Sequence, residues 1–151
     1  MEDRHIRKSH NKTCLLYHVV FTIKYRREVL TDGVVKSLTE ICLEIQNRYD
    51  IHFLEIGTDE DHVHMLVQSV PTASPSEFIQ TIKSITAKQL FKRHPEVKRM
   101  LWGGEFWTKG YYANTVGQYA TADTIRNYVK NQGKHYDRHY QGQPTLFDGL
   151  E

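Results

Sequence analysis

Apolar positions along this chain change their period several times, and each change marks an element. "LLYHVVFTIK" (15–24) is dense in β-branched and aromatic residues and predicts a strand. "TDGVVKSLTEICLEIQNRY" (31–49) carries Val34, Leu38, Ile41, Cys42 and Ile45 at helical spacing. "IHFLEIGT" (51–58) and "HVHMLVQSV" (62–70) predict a second and a third strand. Ser74, Pro75 and Glu77 make a helix start, with serine as N-cap, proline at the first helical position and glutamate three residues after the cap. That helix carries Phe78, Ile79, Ile82, Ile85 and Leu90 and is expected to stop before Pro95. "FWTKGYYANTVG" (106–117) predicts a fourth strand. "TADTIRNYVKNQGK" (121–134) predicts a last helix, with Thr121 as N-cap and Gly133 as stop.

The order β-α-β-β-α-β, then a helix, predicts an α+β fold. It is the split βαβ arrangement, a ferredoxin-like or RRM-like antiparallel sheet with two helices on one face. Open faces of such sheets often bind single-stranded nucleic acid. The last helix is left over and can cover that face. No repeat or internal linker divides the 151 residues, so one domain is expected, with its core at about 13–135. Residues 1–12 are polar and 141–151 are punctuated by Gly and Pro, and both are expected to be irregular.

Composition adds little to this picture. Hydrophobic residues make up 39% and charged residues 25%, an ordinary globular balance. Cys14 and Cys42 match neither a zinc pattern nor a disulfide framework, so a reducing cytoplasm is expected. "CLLYHVVFTI" is too short to span a bilayer, and no leader peptide is visible. The net charge of +2 is a weak pointer to nucleic acid. Lys24, Arg26 and Arg27 cluster, as do Lys130, Lys134, His135, Arg138 and His139. Such clusters attract phosphate, although a solvated charged face has the same composition.

The candidate chemistry starts at "DEDHVHMLVQSV" (59–70). On a strand, residues two apart share a face, so His62 and His64 point one way with Leu66, and Val63, Met65 and Val67 point to the core. Two imidazoles side by side can chelate one divalent ion. A half-exposed strand with polar residues on its wet side gives the same pattern. On the last helix Tyr128 and Gln132 lie one turn apart on one face. The amide oxygen of Gln132 can serve a hard cation, and Tyr128 would then lie beside it. A tyrosine and a glutamine on the buried stripe of an amphipathic helix are the plainer alternative.

Together these segments resemble a known family. "DHVHML" is similar to the His-hydrophobe-His (HUH) motif of single-strand nucleases. "IRNYVKNQG" resembles the tyrosine helix of the single-tyrosine HUH transposases, the TnpA or IS200-like insertion-sequence family. "LYHVVFTIKYRR", "IKSITAKQLFKRHPEV" and "LWGGEFWTKGYYANTVG" follow that family in order and spacing, and the resemblance runs over about 13–133. It implies Tyr128 as nucleophile and His62, His64 and Gln132 as ligands of Mg²⁺ or Mn²⁺. It implies single-stranded DNA with hairpins near the element ends as substrate, cleaved and rejoined through a 5′-phosphotyrosine. It also implies a prokaryotic, nucleoid-associated homodimer whose subunits share their active sites, with a flexible link near Gly117. Lys24, Arg26, Arg27, Lys83 and Lys88 are candidate DNA contacts. Tyr136 and Tyr140 are weaker rivals for the nucleophile, because neither has a glutamine four residues on. A host-domesticated palindrome-processing relative, a replication-type nickase and a silent single-strand binding module are the competing readings.

Overall fold

A computed structural model describes residues 6–8, 11–13, 15–70, 73–116 and 136–142. Strand β3 (Leu15–Thr22) leads through a 3-10 turn at Lys24–Arg26 to helix α1 (Asp32–Arg48). Strands β4 (His52–Asp59) and β5 (His62–Ser69) form a hairpin, and α2 (Pro75–Arg93) follows. A short helix α3 (Pro95–Met100) precedes β6 (Tyr112–Val116), and β7 (Asp137–Gln141) closes the described chain. Strands β1 (Ile6–Lys8) and β2 (Asn11–Thr13) pair with each other, outside the main sheet.

The main sheet has five strands in the order β6-β3-β5-β4-β7, every neighbouring pair antiparallel. Its first four strands are the expected split βαβ sheet, and β7 is added at one edge. The helices start where the sequence places them. The Thr31 hydroxyl accepts from Val34 N–H at 3.3 Å, and Ser74 accepts from Glu77 N–H at 3.2 Å. His94 at the end of α2 meets Ser37 of α1 at 2.7 Å, which ties the two helices together.

Val34, Leu38, Ile41, Cys42 and Ile45 of α1 and Phe78, Ile79, Ile82 and Leu90 of α2 are buried against one face of the sheet. Val19 and Phe21 of β3 and Val63, Met65 and Val67 of β5 meet them, all fully buried. The alternation expected for β5 is therefore the real one. Two expectations are corrected. The fourth strand covers only Tyr112–Val116. Phe106 and Trp107 are buried core instead, with the Trp107 indole donating to the Thr86 hydroxyl at 3.0 Å. Within or next to residues 1–12, expected to be irregular, β1 and β2 form a short antiparallel pair.

Candidate metal and nucleic-acid site

The sheet face opposite the helices carries the chemistry. Register places His64 beside Val20 on β3 and Gly57 on β4, and His62 beside Thr22 and Asp59. His18, two residues before Val20 on β3, lies opposite Leu66 on the same face. A cleft of about 450 Å³ runs over His18, Val20, Thr22, His62 and His64 to Thr108 and Tyr112. Such a volume suits a small ligand or part of a nucleotide.

Both candidate ligand rings are held through the same atom. His62 Nδ1 lies 2.5 Å from the Asp61 carboxylate. His64 Nδ1 lies 3.1 Å from His18 Nε2, with the two rings stacked at 15°. Among the described residues neither Nε2 has a hydrogen-bond partner. An imidazole whose Nδ1–H is donated away keeps its Nε2 lone pair for a metal, and a carboxylate or similar acceptor behind it fixes its tautomer. The donor chemistry fits a divalent cation in the tautomer in which His64 Nδ1–H donates to His18 Nε2. The ring centroids of His62 and His64 are 6.5 Å apart. With metal–nitrogen bonds of about 2.1 Å, the rings must turn toward each other to share one ion. Among the described residues no third His, Cys, Asp or Glu completes a ligand set. The expected third ligand, Gln132, and the expected nucleophile, Tyr128, lie outside the described residues, as does Gly117.

The electrostatics favour neutral imidazoles. Burial lowers the His18 pKa to about 4, helped by the neighbouring His64. Burial also lowers His64, with His62 adding to the shift and Asp59 opposing it. Ligation requires the unprotonated ring.

A second buried cluster adjoins His64. Glu55 of β4 is fully buried in the sheet. The Tyr136 hydroxyl donates to its Oε2 at 2.5 Å, and Arg138 Nε lies 3.0 Å from its Oε1. The Tyr136 ring meets His64 edge-on at 5.6 Å. It also lies so close over Gly57 that a Cβ there would clash with its hydroxyl and the adjoining ring carbons. Gly57→Ala is thus expected to displace Tyr136 and cost about 1–3 kcal/mol. The fall in thermal midpoint checks this, and a drop that Tyr136→Ala relieves would identify the clash as its cause. Burial and then the Glu55 hydrogen bond push the Tyr136 phenol well above its ordinary pKa. A phenol held so firmly protonated is a poor nucleophile, which weighs against Tyr136 as a rival to Tyr128.

Sequence reasoning missed His18, Glu55 and the structural use of Tyr136. Two signals were present: a lone histidine in "LLYHVVFTI" and a lone acid in "IHFLEIGT". A polar residue inside an apolar strand must find a partner.

The candidate DNA contacts separate into two groups. Lys83 donates to the carbonyls of Thr108, Lys109 and Gly110 at 2.7, 3.1 and 3.1 Å, so its ammonium secures the loop at the rim of the cleft. Lys24 pairs with Glu105 at 2.8 Å. Arg26 lies 3.7 Å from Asp61, while Arg27 and Lys88 are exposed without an ion pair among the described residues. In the C-terminal basic cluster, Arg138 is taken by Glu55 and His139 by Thr58 at 2.7 Å.

Comparison with known proteins decides the family. The sequence profile described as "Transposase IS200 like" matches residues 11–132. This chain belongs to the IS200-like transposase family. ISDra2 transposase TnpA of Deinococcus radiodurans is 30% identical over 118 residues, covering 78% of this chain and 84% of the relative. The transposase for insertion sequence element IS200 of Salmonella typhimurium is 29% identical over 142 residues, covering 90% and 92%. The crystal structure of a putative transposase from Deinococcus radiodurans superposes with a TM-score of 0.68 at 28% identity, over 85% of this chain and 98% of that one. A REP-associated tyrosine transposase bound to a REP hairpin shares the fold, with a TM-score of 0.54 at 12% identity, over 86% of this chain and 69% of that one. The IS200-like family thus has its α+β fold here, and no described helix is long and apolar enough to cross a membrane.

Proposed function

We propose that this IS200-like transposase is a divalent-metal-dependent enzyme that cuts and rejoins single-stranded DNA at hairpin-bearing element ends. The observation that carries the reading is the pair of Nε2 atoms on one sheet face, each belonging to a ring anchored through Nδ1. His62, His64 and Gln132 would hold Mg²⁺ or Mn²⁺. When bound, the cation supplies Lewis-acid charge at a scissile phosphate.

Tyr128 gives up its phenolic proton to solvent, and its oxygen bonds to phosphorus as the bond to the 3′ oxygen breaks. The departing oxygen takes up a proton and leaves as a 3′-hydroxyl. The 5′-phosphotyrosine retains the phosphodiester energy, so another 3′-hydroxyl can reverse the step and reseal the strand. Single strands are the natural substrate for a sheet-face cleft, since unstacked bases can enter it. In this reading the enzyme works as a homodimer in the nucleoid of a prokaryotic cytoplasm, with Tyr128 acting in its own or its partner's site. The hairpin seen with the REP-associated protein makes a folded-back strand a sensible first substrate.

The test is a denaturing gel after incubation of the full chain with a hairpin-tailed single strand and Mn²⁺. A covalent adduct that disappears in Tyr128→Phe is expected. Absence of adduct with every element end tried would defeat the reading, and an adduct in Tyr128→Phe would move the nucleophile elsewhere.

A further inference from the structure

Away from the histidine cleft, two large aromatic side chains lie in solvent. Tyr25 is 50% exposed and Trp102 is 70% exposed. Their rings stack at 6.0 Å between centroids and 22° between planes. Stacking on Tyr25 therefore leaves most of the indole uncovered. Aromatic rings are among the side chains with most to gain from burial, so a displayed pair calls for a reason.

The backbone makes the display deliberate. Tyr25 and Arg26 have φ of 61° and 52°, in the left-handed region that non-glycine residues seldom occupy. Gly103 and Gly104, directly after Trp102, have φ of 101° and 79°. The strain at Tyr25 and Arg26 persists only where surrounding structure enforces it, and such strain concentrates at binding sites. The enforcement is visible: Ile23 N–H donates to Asp61 C=O, Lys24 N–H to Phe106 C=O and Arg26 N–H to Ile23 C=O, each at 2.9 Å.

The surroundings suit one class of ligand. Tyr25, Arg26, Arg27, Glu28, Met100 and Trp102 line a hollow of about 530 Å³. Arg27 has no ion pair among the described residues, and Arg26 holds Asp61 only at 3.7 Å. Two guanidinium groups beside an open indole match a phosphate joined to an unpaired base. Glu28 opposes a free anion, so the base and not charge alone must contribute. Asp61 links the two places, since its other oxygen holds His62 at 2.5 Å.

We infer that Tyr25 and Trp102 form a stacking platform for one unpaired base of a single strand, with Arg26 and Arg27 on its phosphate. The strand that reaches the His62–His64 cleft passes over this platform. The inference deepens the proposed function, and its rests on that reading only for the identity of the strand as substrate.

The test is equilibrium binding in EDTA, where no cleavage occurs. The probes are a fluorescently labelled oligothymidine and a duplex of equal length, with the full chain. Trp102→Ala and Tyr25→Gly are each expected to weaken oligothymidine binding roughly five- to a hundredfold. Glycine suits the left-handed φ of Tyr25, so that variant keeps the fold, which a melting curve verifies. Trp102→Phe and Tyr25→Phe are expected to keep most of the affinity, and duplex binding is expected to change less than twofold. Three results would each overturn the platform: single-strand affinity unchanged in both truncations, an equal loss for duplex, or a change of oligomeric state in sedimentation showing that the rings pack between copies. Wild-type protein that forms no adduct, yet loses oligothymidine binding in these variants, would defeat the transposase reading and leave the platform standing. A Tyr128-dependent adduct with unaltered binding in both variants would do the reverse.

Discussion

His64→Ala is expected to lower adduct formation by more than about a hundredfold and to weaken Mn²⁺ binding at least as much. The magnitude is anchored on what lies behind a ligand: losing an outer partner typically costs 10–100-fold, and losing the ligand itself costs more. His18→Phe tests the same geometry one step back. Phenylalanine fills the space of the imidazole but leaves His64 Nδ1 without its hydrogen-bond partner, 3.1 Å away. Its expected loss lies within the 10–100-fold range, with Mn²⁺ affinity from titration calorimetry falling alongside. His18→Phe with wild-type Mn²⁺ affinity would show that the stacked pair does not set the tautomer of His64. His64→Ala with full adduct formation would remove the proposed metal site altogether.

The same pair makes a pH prediction whose sign follows from burial. His18 titrates near 4 in the fold against an ordinary 6.5. In the unfolded chain it takes up its proton as pH falls through 6.5, while in the fold it stays neutral. Its contribution to stability is therefore complete above about pH 6.5 and declines from there to about pH 4. Thermal midpoints over that window are expected to fall more steeply for the wild type than for His18→Phe. Equal slopes would assign the acid sensitivity to other groups.

What the chain disclosed in advance depended on how local each signal was. The two helices were legible because period and cap agree: Thr31 and Ser74 accept the hydrogen bonds their positions promise. The direction of His62 and His64 was legible because strand alternation is set by the backbone alone. Pro95 was read as a stop, yet proline also suits the first turn of a helix, and α3 begins on it. Strand β7 was missed because "DRHYQ" has no alternation. It is an edge strand, and edge strands are often polar. The partnerships His18–His64 and Glu55–Arg138 span 46 and 83 residues, so no window of sequence contains them. Lys83 shows the converse, since a surface lysine on a helix reads as free charge until three carbonyls converge on it.

Glu55→Ala is the change expected to cost the most stability. Glu55 is fully buried, and its carboxylate accepts from Tyr136 O–H and is ion-paired with Arg138. Removing one partner of a buried pair typically costs about 3–5 kcal/mol, because the other charge is left without its counterion. The Arg138 side chain is 34% exposed, so water can take over part of the guanidinium, which places the cost near the lower end, about 3 kcal/mol. For a chain of this length that corresponds to a thermal midpoint lower by roughly 6–12 °C. Glu55→Gln keeps an acceptor for Tyr136 but loses the charge and turns an NH2 donor toward Arg138, so a drop only somewhat smaller than that of Glu55→Ala is expected. Replacing Glu55, Tyr136 and Arg138 together by Leu, Phe and Met removes the unpaired guanidinium and phenol and is expected to recover much of the loss. Recovery of stability without recovery of adduct formation would separate two roles. Tyr136 follows Gln132 by four residues and packs edge-on against His64. The Glu55 cluster thus holds the Tyr136 ring against the proposed ligand His64, and the triple variant would keep the sheet while loosening that hold. A triple variant as active as the wild type would reduce the cluster to a purely structural pairing.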